Sequence, residues 1–287
     1  MAASCEVCFR HCALEEGQTG FCGGRTCAGG RVVASNYGKV TSMMLDPIEK
    51  KPLRRFRPGN KVLSVGSYGC NLRCPFCQNH EISWSAEALR FASRASFVSP
   101  EKLVGIAQEL TARGNIGIAF TYNEPLIGYE YVRDTAKLAH ERGLAGVLVT
   151  NGTAERAVLE ELLPYIDAMN IDLKGFREAY YRDVLGGSLQ MVLEFIERAV
   201  RDCHVEITTL VVPGENDTEE EIRAISRWIA GLTDAAGNRI GREVPLHLSR
   251  FFPQFHMRDR DATDVAQIYR LAEVAREALT YVYTGNC

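Results

Sequence analysis

The chain has 287 residues, enough for one barrel-type domain with a small additional unit. Its hydrophobic content of 46% and charged content of 24% exclude the disordered, collagen-like and coiled-coil classes. The net charge of −3 gives no general attraction to nucleic acid or to an anionic membrane, so we expect neither as a partner. The apolar stretches are much shorter than the roughly 18 residues of a membrane span, and the N-terminus lacks a signal-peptide pattern. We therefore expect a cytoplasmic protein.

The N-terminal segment is rich in cysteine. Cys5, Cys8, Cys12 and Cys22 occur in a stretch too short to hold a core by itself, which favours a four-thiolate metal site. We expect a zinc ion there, with a second iron–sulfur cluster or uncoordinated redox thiols as the alternatives. Residues 1–58 are accordingly predicted to form a small N-terminal Cys-rich metal-binding lobe and linker.

From about residue 60, short apolar runs alternate with longer segments of helical period. Seven runs are predicted strands: Val62–Val65, Ile116–Thr121, Ala145–Thr150, Met169–Leu173, Val205–Val212, Pro245–Leu248 and Tyr281–Tyr283. The predicted helices are Ser99–Arg113, Leu126–Arg142, Ala154–Leu163, Leu189–Arg201, Thr218–Ile229 and Thr263–Leu279. This alternation predicts an α/β fold over residues 59–287, namely a partial (β/α)6-type TIM barrel, with a doubly wound open sheet as the alternative.

Polar residues follow the carboxyl ends of six of these predicted strands. They are Cys70 to Cys77, Asn123 with Glu124, Asn151, Asp172 to Lys174, Gly214 to Asp217, and His247 with Ser249 and Arg250. Active sites of (β/α) barrels are built from the loops at that end. The pattern therefore predicts one shared site at the carboxyl ends of the strands.

Cys70, Cys74 and Cys77 form the pattern Cys-x3-Cys-x2-Cys. Iron–sulfur clusters are held by cysteine thiolates, and three cysteines leave one iron of a four-iron cluster without a protein ligand. An open coordination position distinguishes a reactive metal site from a structural one. A zinc site with a distant fourth ligand is the alternative.

The three-cysteine pattern, with Phe76 before the last cysteine, resembles the signature of radical S-adenosylmethionine (SAM) enzymes. That resemblance implies a [4Fe-4S] cluster on Cys70, Cys74 and Cys77, with SAM bound to the fourth iron. Thr121-Tyr122-Asn123-Glu124-Pro125 is similar to the segment whose glutamate contacts the SAM amino group. Asp172-Leu173-Lys174 resembles an element of pyruvate formate-lyase activating enzymes, and His247 matches their SAM-contacting histidine.

The chemistry of SAM agrees with these assignments. A zwitterionic sulfonium ligand needs a cation for its carboxylate, an acceptor for its ammonium group and a flat apolar contact for its adenine. Lys174, Glu124 and Phe76 offer one of each. With Asn123, Asn151, Asp172 and His247, they make up the predicted SAM site, and we assign Lys174 together with the three cysteines to catalysis.

A narrower likeness covers nearly the whole chain. Cys5-x2-Cys8-x3-Cys12-x9-Cys22, Asp46-Pro47-Ile48-Glu49-Lys50-Lys51-Pro52-Leu53 and Cys77-Gln78-Asn79 resemble the radical SAM component of the AmmeMemoRadiSam system. The chain departs from that pattern at Arg54-Arg55, Cys27 and Cys287. Cys203 is predicted to be an inert thiol, whereas Cys287 follows the last strand and could reach the site.

The resemblance implies that one electron from a flavodoxin or ferredoxin cleaves SAM to methionine and a 5′-deoxyadenosyl radical. The radical would act on an unidentified substrate, either a small molecule or a protein. Three alternatives stay open: a glycyl-radical-enzyme activase, transfer of the 3-amino-3-carboxypropyl group of SAM to a thiol or trivalent arsenic, and a non-catalytic iron–sulfur or zinc module. Each differs from the others in the nucleoside product that it forms from SAM or in its target.

Overall fold

A sheet of eight strands forms the centre of the computed structural model, which describes residues 2–92 and 95–287. The strands are β1 (Ala3–Ser4), β2 (Ala13–Leu14), β3 (Arg25–Ala28), β4 (Arg31–Ala34), β5 (Lys39–Val40), β6 (Ser42–Pro47), β7 (Lys61–Gly66), β8 (Ser96–Phe97), β9 (Asn115–Phe120), β10 (Ala145–Thr150), β11 (Ala168–Asp172), β12 (His204–Val211), β13 (Leu246–Arg250) and β14 (Val282–Gly285). The α-helices are α1 (His80–Ser83), α2 (Ala86–Ala92), α3 (Pro100–Glu109), α4 (Tyr129–Glu141), α5 (Arg156–Leu162), α6 (Leu189–Ala199), α7 (Glu219–Ala230) and α8 (Val265–Arg276). A π-helix spans Tyr180–Leu185.

The strand order of the main sheet is β14-β13-β12-β11-β10-β9-β7-β6. All neighbouring strands are parallel except β6, which is antiparallel to β7. From β7 to β14 the order follows the chain, so every crossover steps in the same direction and the helices cover one face. A doubly wound sheet would reverse its order at the middle. The predicted partial barrel is therefore confirmed, with β6 and β14 as its edges.

Several helices on the outside of the barrel, among them α3 and α7, begin at polar capping residues. Ser99 Oγ accepts a hydrogen bond from Lys102 N at 3.3 Å, and Thr218 Oγ1 accepts one from Glu221 N at 3.2 Å. Such caps satisfy backbone N–H groups that have no partner within the helix. The predicted starts of α3 and α7 are confirmed, and the apolar stripes of both helices contribute to the main core.

An apolar floor closes the barrel at the amino ends of its strands. The segment after β6 turns through a short 3₁₀-helix, Ile48–Lys50, and buries Ile48 and Leu53 completely. These two side chains pack against small and branched residues of four strands, Val62, Ala119, Val147 and Ala168. The segment Asp46–Leu53 thus fills the amino-terminal end of the barrel, and we call it the plug.

A polar cluster completes this floor. Glu206 of β12 is completely buried and accepts hydrogen bonds from Arg54 N and Arg55 N at 3.0 and 2.7 Å. It also accepts hydrogen bonds from Nε2 of His204 and of His247 at 2.9 and 2.7 Å. Although burial disfavours its charge, the hydrogen bonds from His204 and His247 and from the two backbone amides lower the pKa of Glu206 to about 2. The carboxylate thereby holds the plug to the inner wall of the barrel.

The N-terminal segment adds two short antiparallel ladders, β1 with β2 and β3 with β4. Its last strand, β6, pairs with β7 and so belongs to the main sheet although it lies before the predicted boundary at residue 58. Within the described residues, no helix has the length and apolar character needed to cross a membrane.

Candidate active site

A cavity of about 260 Å³ opens at the carboxyl ends of the barrel strands. It is lined by nine of the ten residues predicted for the cluster and SAM: Cys70, Cys74, Phe76, Cys77, Asn123, Glu124, Asn151, Asp172 and Lys174. These residues come from the ends of four different strands. The folding of the chain therefore places side chains that are up to 104 positions apart around one space.

Cys70, Cys74 and Cys77 lie on the loop that follows β7. Backbone contacts fix this loop, since Cys77 N donates to Cys74 O at 3.2 Å and Arg73 N donates to Leu185 O of the π-helix at 2.8 Å. Burial raises the pKa of Cys74 to about 12, although the Lys174 ammonium group opposes the shift. Burial also raises the pKa of Cys70 and of Cys77. A bound cation is what would favour the thiolate forms at neutral pH.

The N-terminal segment packs directly against this loop. Cys70 N donates a hydrogen bond to Cys22 O at 3.1 Å. Gly69 has φ +95°, and a Cβ atom there would lie 2.6 Å from Cys22 O. Only glycine permits both this backbone conformation and this close approach. Gly69 is therefore required where the two parts of the chain meet.

Glu124 joins the loops after β9 and β10. Its Oε1 accepts hydrogen bonds from Leu126 N at 3.0 Å and Thr150 Oγ1 at 2.7 Å, and its Oε2 accepts one from Asn151 N at 2.8 Å. Burial raises the pKa of Glu124 to about 7, although these three hydrogen bonds favour the charged form. A cationic group in the cavity would favour the carboxylate further.

Asp172 and Lys174 form an ion pair at the end of β11, with Nζ and Oδ2 2.8 Å apart. The backbone N–H of Lys174 donates to the hydroxyl of Tyr181 at 2.9 Å, so the buried π-helix fixes the position of the lysine. The pair gives the cavity one cation and one anion side by side. A zwitterionic ligand could exchange contacts with both.

Tyr122 also lines the cavity, and no role was assigned to it from the sequence. It has φ +73°, a strained conformation for a bulky side chain. Its hydroxyl donates to Asp46 Oδ2 at 2.9 Å, and the buried ammonium group of Lys51 lies 2.9 Å from the same oxygen. Burial and the Asp46 carboxylate raise the pKa of Tyr122 to about 12. In the sequence, Tyr122 could have been identified from its position in Thr121–Pro125, the polar segment at the end of a predicted strand.

His247 is the one residue of the predicted SAM site that does not line the cavity. Its Nε2 lies 2.7 Å from Glu206 Oε2, and its ring stacks on Tyr283, with ring centroids 5.2 Å apart. Ser249, two residues further along β13, lines the cavity. Because alternate residues of a strand face the same side, His247 also points into the barrel, in register with Thr208 of β12, which lines the cavity.

The four N-terminal cysteines share one neighbourhood. Cys5 and Cys8 are buried and Cys12 and Cys22 are half-buried, and Cys5 N donates to Cys12 O at 3.0 Å. Burial raises the pKa of Cys8, and the thiols of Cys5 and Cys12 add to the shift. Burial raises the pKa of Cys22 to about 11, with contributions from Cys8 and Cys5. These mutual effects on the pKa agree with a shared neighbourhood of the four thiols.

Across residues 2–92 and 95–287, no group of three or more His, Cys, Asp or Glu side chains is arranged to hold a single metal ion. Zinc at the N-terminal cysteines therefore stays a prediction. Cys203 donates to Ala199 O and lies at the amino end of β12, away from the cavity. Cys287 is exposed, next to Asn286, which lines the cavity.

Comparison with known proteins identifies the class. The family model described as the radical SAM superfamily matches residues 64–228, more than half of the chain. The chain therefore belongs to the radical SAM superfamily, and it is an enzyme.

Individual relatives within this class give more specific similarities. The chain is 38% identical over 285 residues to the uncharacterized protein MJ0808 of Methanocaldococcus jannaschii, covering 98% of this chain and 80% of that protein. It is 24% identical over 227 residues to the pyruvate formate-lyase-activating enzyme of Clostridium pasteurianum, covering 77% of this chain and 92% of that enzyme. Among solved structures, Streptococcus suis SuiB bound to S-adenosylmethionine superposes with a TM-score of 0.57 at 14% identity, covering 77% of this chain and 48% of SuiB. This last similarity concerns the fold.

Proposed function

We propose that the chain cleaves SAM reductively, taking up one electron and forming methionine and a 5′-deoxyadenosyl radical that removes a hydrogen atom from a substrate. The observation that carries this proposal is the cavity in which Cys70, Cys74 and Cys77 face Glu124 and the Asp172–Lys174 pair. Family membership gives the class of enzyme, and the geometry supports the role that we propose for each residue.

Cys70, Cys74 and Cys77 would hold a [4Fe-4S] cluster. The donor set fits, because three thiols of one short loop line the same cavity and space remains beside them for a ligand on the fourth iron. When bound, the cluster supplies the single electron that breaks a carbon–sulfur bond of SAM. The protein contributes position, charge and exclusion of water around that chemistry.

The remaining residues of the cavity would hold SAM. Lys174 is suited to the carboxylate of its methionine part and Glu124 to its ammonium group. Phe76 offers an apolar face for the adenine ring, and Asp172 keeps Lys174 in place. Asn123 and Asn151 line the same cavity and supply amide groups for hydrogen bonds.

The partners follow from the same chemistry. We propose a flavodoxin or ferredoxin as the electron donor and a cytoplasmic location for the enzyme. The substrate class is a small molecule or a protein. The Clostridium pasteurianum relative is named as an activating enzyme of pyruvate formate-lyase, which supports glycyl-radical-enzyme activation as a second candidate function.

The test is anaerobic. Protein reconstituted with iron and sulfide is mixed with SAM and dithionite, and the nucleoside product is identified by mass spectrometry. We expect 5′-deoxyadenosine, and its loss in Cys74→Ala. Cys203→Ala is the matched control, because it removes a thiol outside the cavity. Methylthioadenosine would instead indicate aminocarboxypropyl transfer, and the absence of both products would favour the non-catalytic module.

A further inference from the structure

Phe21 lies on the surface of the molecule, close to the loop that carries Cys70 but outside the cavity. It is 41% exposed and does not line the cavity. The carbonyl oxygen of the next residue, Cys22, accepts a hydrogen bond from Cys70 N at 3.1 Å. One hydrogen bond therefore joins the Phe21–Cys22 turn to a residue that would hold the cluster.

Arg73 makes a second link between this turn and the cysteine loop. Its Nη2 donates to Phe21 O at 2.5 Å, and its Nη1 donates to Cys70 O at 2.9 Å. Arg73 belongs to the loop itself, between Cys70 and Cys74, and it does not line the cavity. The turn and the loop are thus joined on a side that SAM would not occupy.

Two positively charged groups lie against the ring of Phe21. The guanidinium carbons of Arg10 and Arg73 are 3.4 and 3.7 Å from the ring centroid. Both arginines donate hydrogen bonds to backbone carbonyl oxygens, which carry no net charge. Within residues 2–92 and 95–287, neither arginine forms an ion pair with a carboxylate. The two like charges repel each other, so an acidic partner would offset a positive charge that the chain leaves unbalanced.

A groove of about 280 Å³ opens beside the same ring. Tyr68 and Trp84 line it together with Phe21, and the Arg73 guanidinium carbon lies 5.4 Å from the Trp84 ring centroid. Of the described residues that line the groove, Arg73 alone is charged. Aromatic residues and arginine are the types enriched in protein–protein interfaces. We call this patch the Phe21 surface, and it consists of Arg10, Phe21, Tyr68, Arg73 and Trp84.

We propose that the Phe21 surface is the docking site of an acidic electron-donor protein, which delivers one electron there to the cysteine loop. Because SAM would occupy the cavity, the donor needs a surface that reaches this loop from outside the cavity. The Phe21 surface does so through the hydrogen bonds of Cys22 and Arg73 to Cys70. Its unbalanced positive charge would attract and orient an acidic protein during the encounter.

This inference rests on the proposed function, which requires one electron for each SAM that is cleaved. The donor protein loses one electron and is oxidised. The reductive cleavage of one SAM molecule consumes that electron, so the balance needs no other reductant. What the inference adds is the place at which the electron enters the chain.

Phe21→Glu tests the surface, because it places a carboxylate where the acidic donor would dock. The full-length protein is reconstituted anaerobically and mixed in a stopped-flow instrument with flavodoxin hydroquinone or with reduced ferredoxin, and the bleaching of its visible absorbance is recorded. We expect Phe21→Glu to be reduced about tenfold or more slowly than the wild type at low ionic strength. Phe97→Glu is the matched control, because Phe97 is a 60% exposed ring of the β5–β8 ladder, and its rate should change by less than about twofold.

Dithionite separates a failure of this surface from a failure of the enzyme. It is a small reductant that needs no docking surface, so Phe21→Glu with dithionite should bind as much iron and form 5′-deoxyadenosine as fast as the wild type. If both donor proteins reduce Phe21→Glu as fast as the wild type, or if neither reduces the wild type, this inference fails and the proposed function stands. If the wild type forms no 5′-deoxyadenosine with dithionite, the proposed function fails instead.

The salt dependence of the wild type gives a second measurement that needs no variant. Since salt screens the attraction between exposed charges, the rate of reduction by the donor protein should fall as the ionic strength rises. The rate with Phe21→Glu should fall less steeply, because the added carboxylate has already cancelled part of that attraction. A wild-type rate that is independent of salt would overturn the proposal.

Discussion

Lys174 Nζ and Asp172 Oδ2 lie 2.8 Å apart at the end of β11, inside the cavity that the three cysteines line. Burial alone would lower the pKa of the Lys174 ammonium group, but Asp172 and Cys74 raise it well above its ordinary value. Lys174 therefore carries its positive charge at neutral pH. A permanent cation at this depth is available to a carboxylate ligand.

We expect Lys174→Ala to weaken SAM binding by about tenfold or more, because a charge-assisted hydrogen bond is worth about 1.5–3 kcal/mol. Lys174→Arg should have a smaller effect, since it keeps the charge and changes only the geometry. Anaerobic equilibrium dialysis on the reconstituted protein measures both dissociation constants. An unchanged affinity in Lys174→Ala would remove this residue from the SAM site.

His247→Asn provides the contrast. Because the His247 side chain is held by Glu206 and does not line the cavity, we expect the dissociation constant of SAM to change by less than about twofold. Stability should fall by about 1–3 kcal/mol, because a hydrogen bond to a buried charge is lost. A tenfold loss of SAM affinity with unchanged stability would restore the role that the resemblance implies for this histidine.

Glu124 predicts a pH dependence of stability. Its folded-state pKa of about 7 lies above its ordinary value of 4.5, so the folded protein binds the proton more tightly than the unfolded chain does. The contribution of Glu124 to the free energy of unfolding is therefore fully present below about pH 4.5 and is lost as the pH rises to about 7. Without SAM, urea denaturation should show the wild type losing stability relative to Glu124→Gln between pH 5 and pH 8. A constant difference between the two proteins would contradict this sign.

Glu206 predicts a pH dependence of stability with the opposite sign. Its pKa of about 2 lies below its ordinary value of 4.5, so its contribution is present above about pH 4.5 and is lost as the pH falls towards 2. Glu206→Gln should lower the free energy of unfolding at pH 7 by about 2–4 kcal/mol, because the amide cannot accept all four hydrogen bonds. The difference from wild type should shrink in acid. Equal acid sensitivity of both proteins in urea titrations would refute the assignment.

The Lys51–Asp46 pair is suited to a double-mutant cycle. Lys51→Met leaves the buried Asp46 carboxylate with only the exposed ammonium group of Lys50, 3.7 Å away, which should lower the free energy of unfolding by up to about 3–5 kcal/mol. Asp46→Asn/Lys51→Met removes both charges and should cost less than Lys51→Met alone. Chemical denaturation at neutral pH measures the free energies of unfolding of the wild type, Asp46→Asn, Lys51→Met and the double variant. A double variant less stable than either single variant would show that the pair is not coupled in this way.

The sequence was sufficient for most of the barrel because parallel strands are apolar on both faces and the helices between them carry apolar stripes. For example, Ala145–Thr150 is a strand with the predicted bounds. The helix α1, which has four residues, and the π-helix Tyr180–Leu185 were not predicted, because fewer than two turns of helix carry no readable period. The strand β6 was also missed, since its pairing with β7 is decided by tertiary contacts.

Some residues of the site could also be placed from the sequence, and others could not. Residues next to a strand end, such as Glu124 and Lys174, could be placed because the barrel topology fixes where strand ends go. The sequence did not show that His247 is held by Glu206, which lies 41 residues earlier in the chain, while Ser249 lines the cavity. The Asn71–Asn151 contact joins loops 80 residues apart, and no local pattern encodes it.

The plug has a consequence for the order in which the molecule assembles. Arg54 and Arg55 are bonded to Glu206, which is about 150 residues later in the chain, so the amino-terminal segment must wait for most of the barrel to be synthesised before it can dock. Until then Ile48 and Leu53 have no complete floor in which to be buried. The thiols that precede this segment in sequence would spend the same interval in an unfinished environment, so any metal that they bind would be delivered after release from the ribosome.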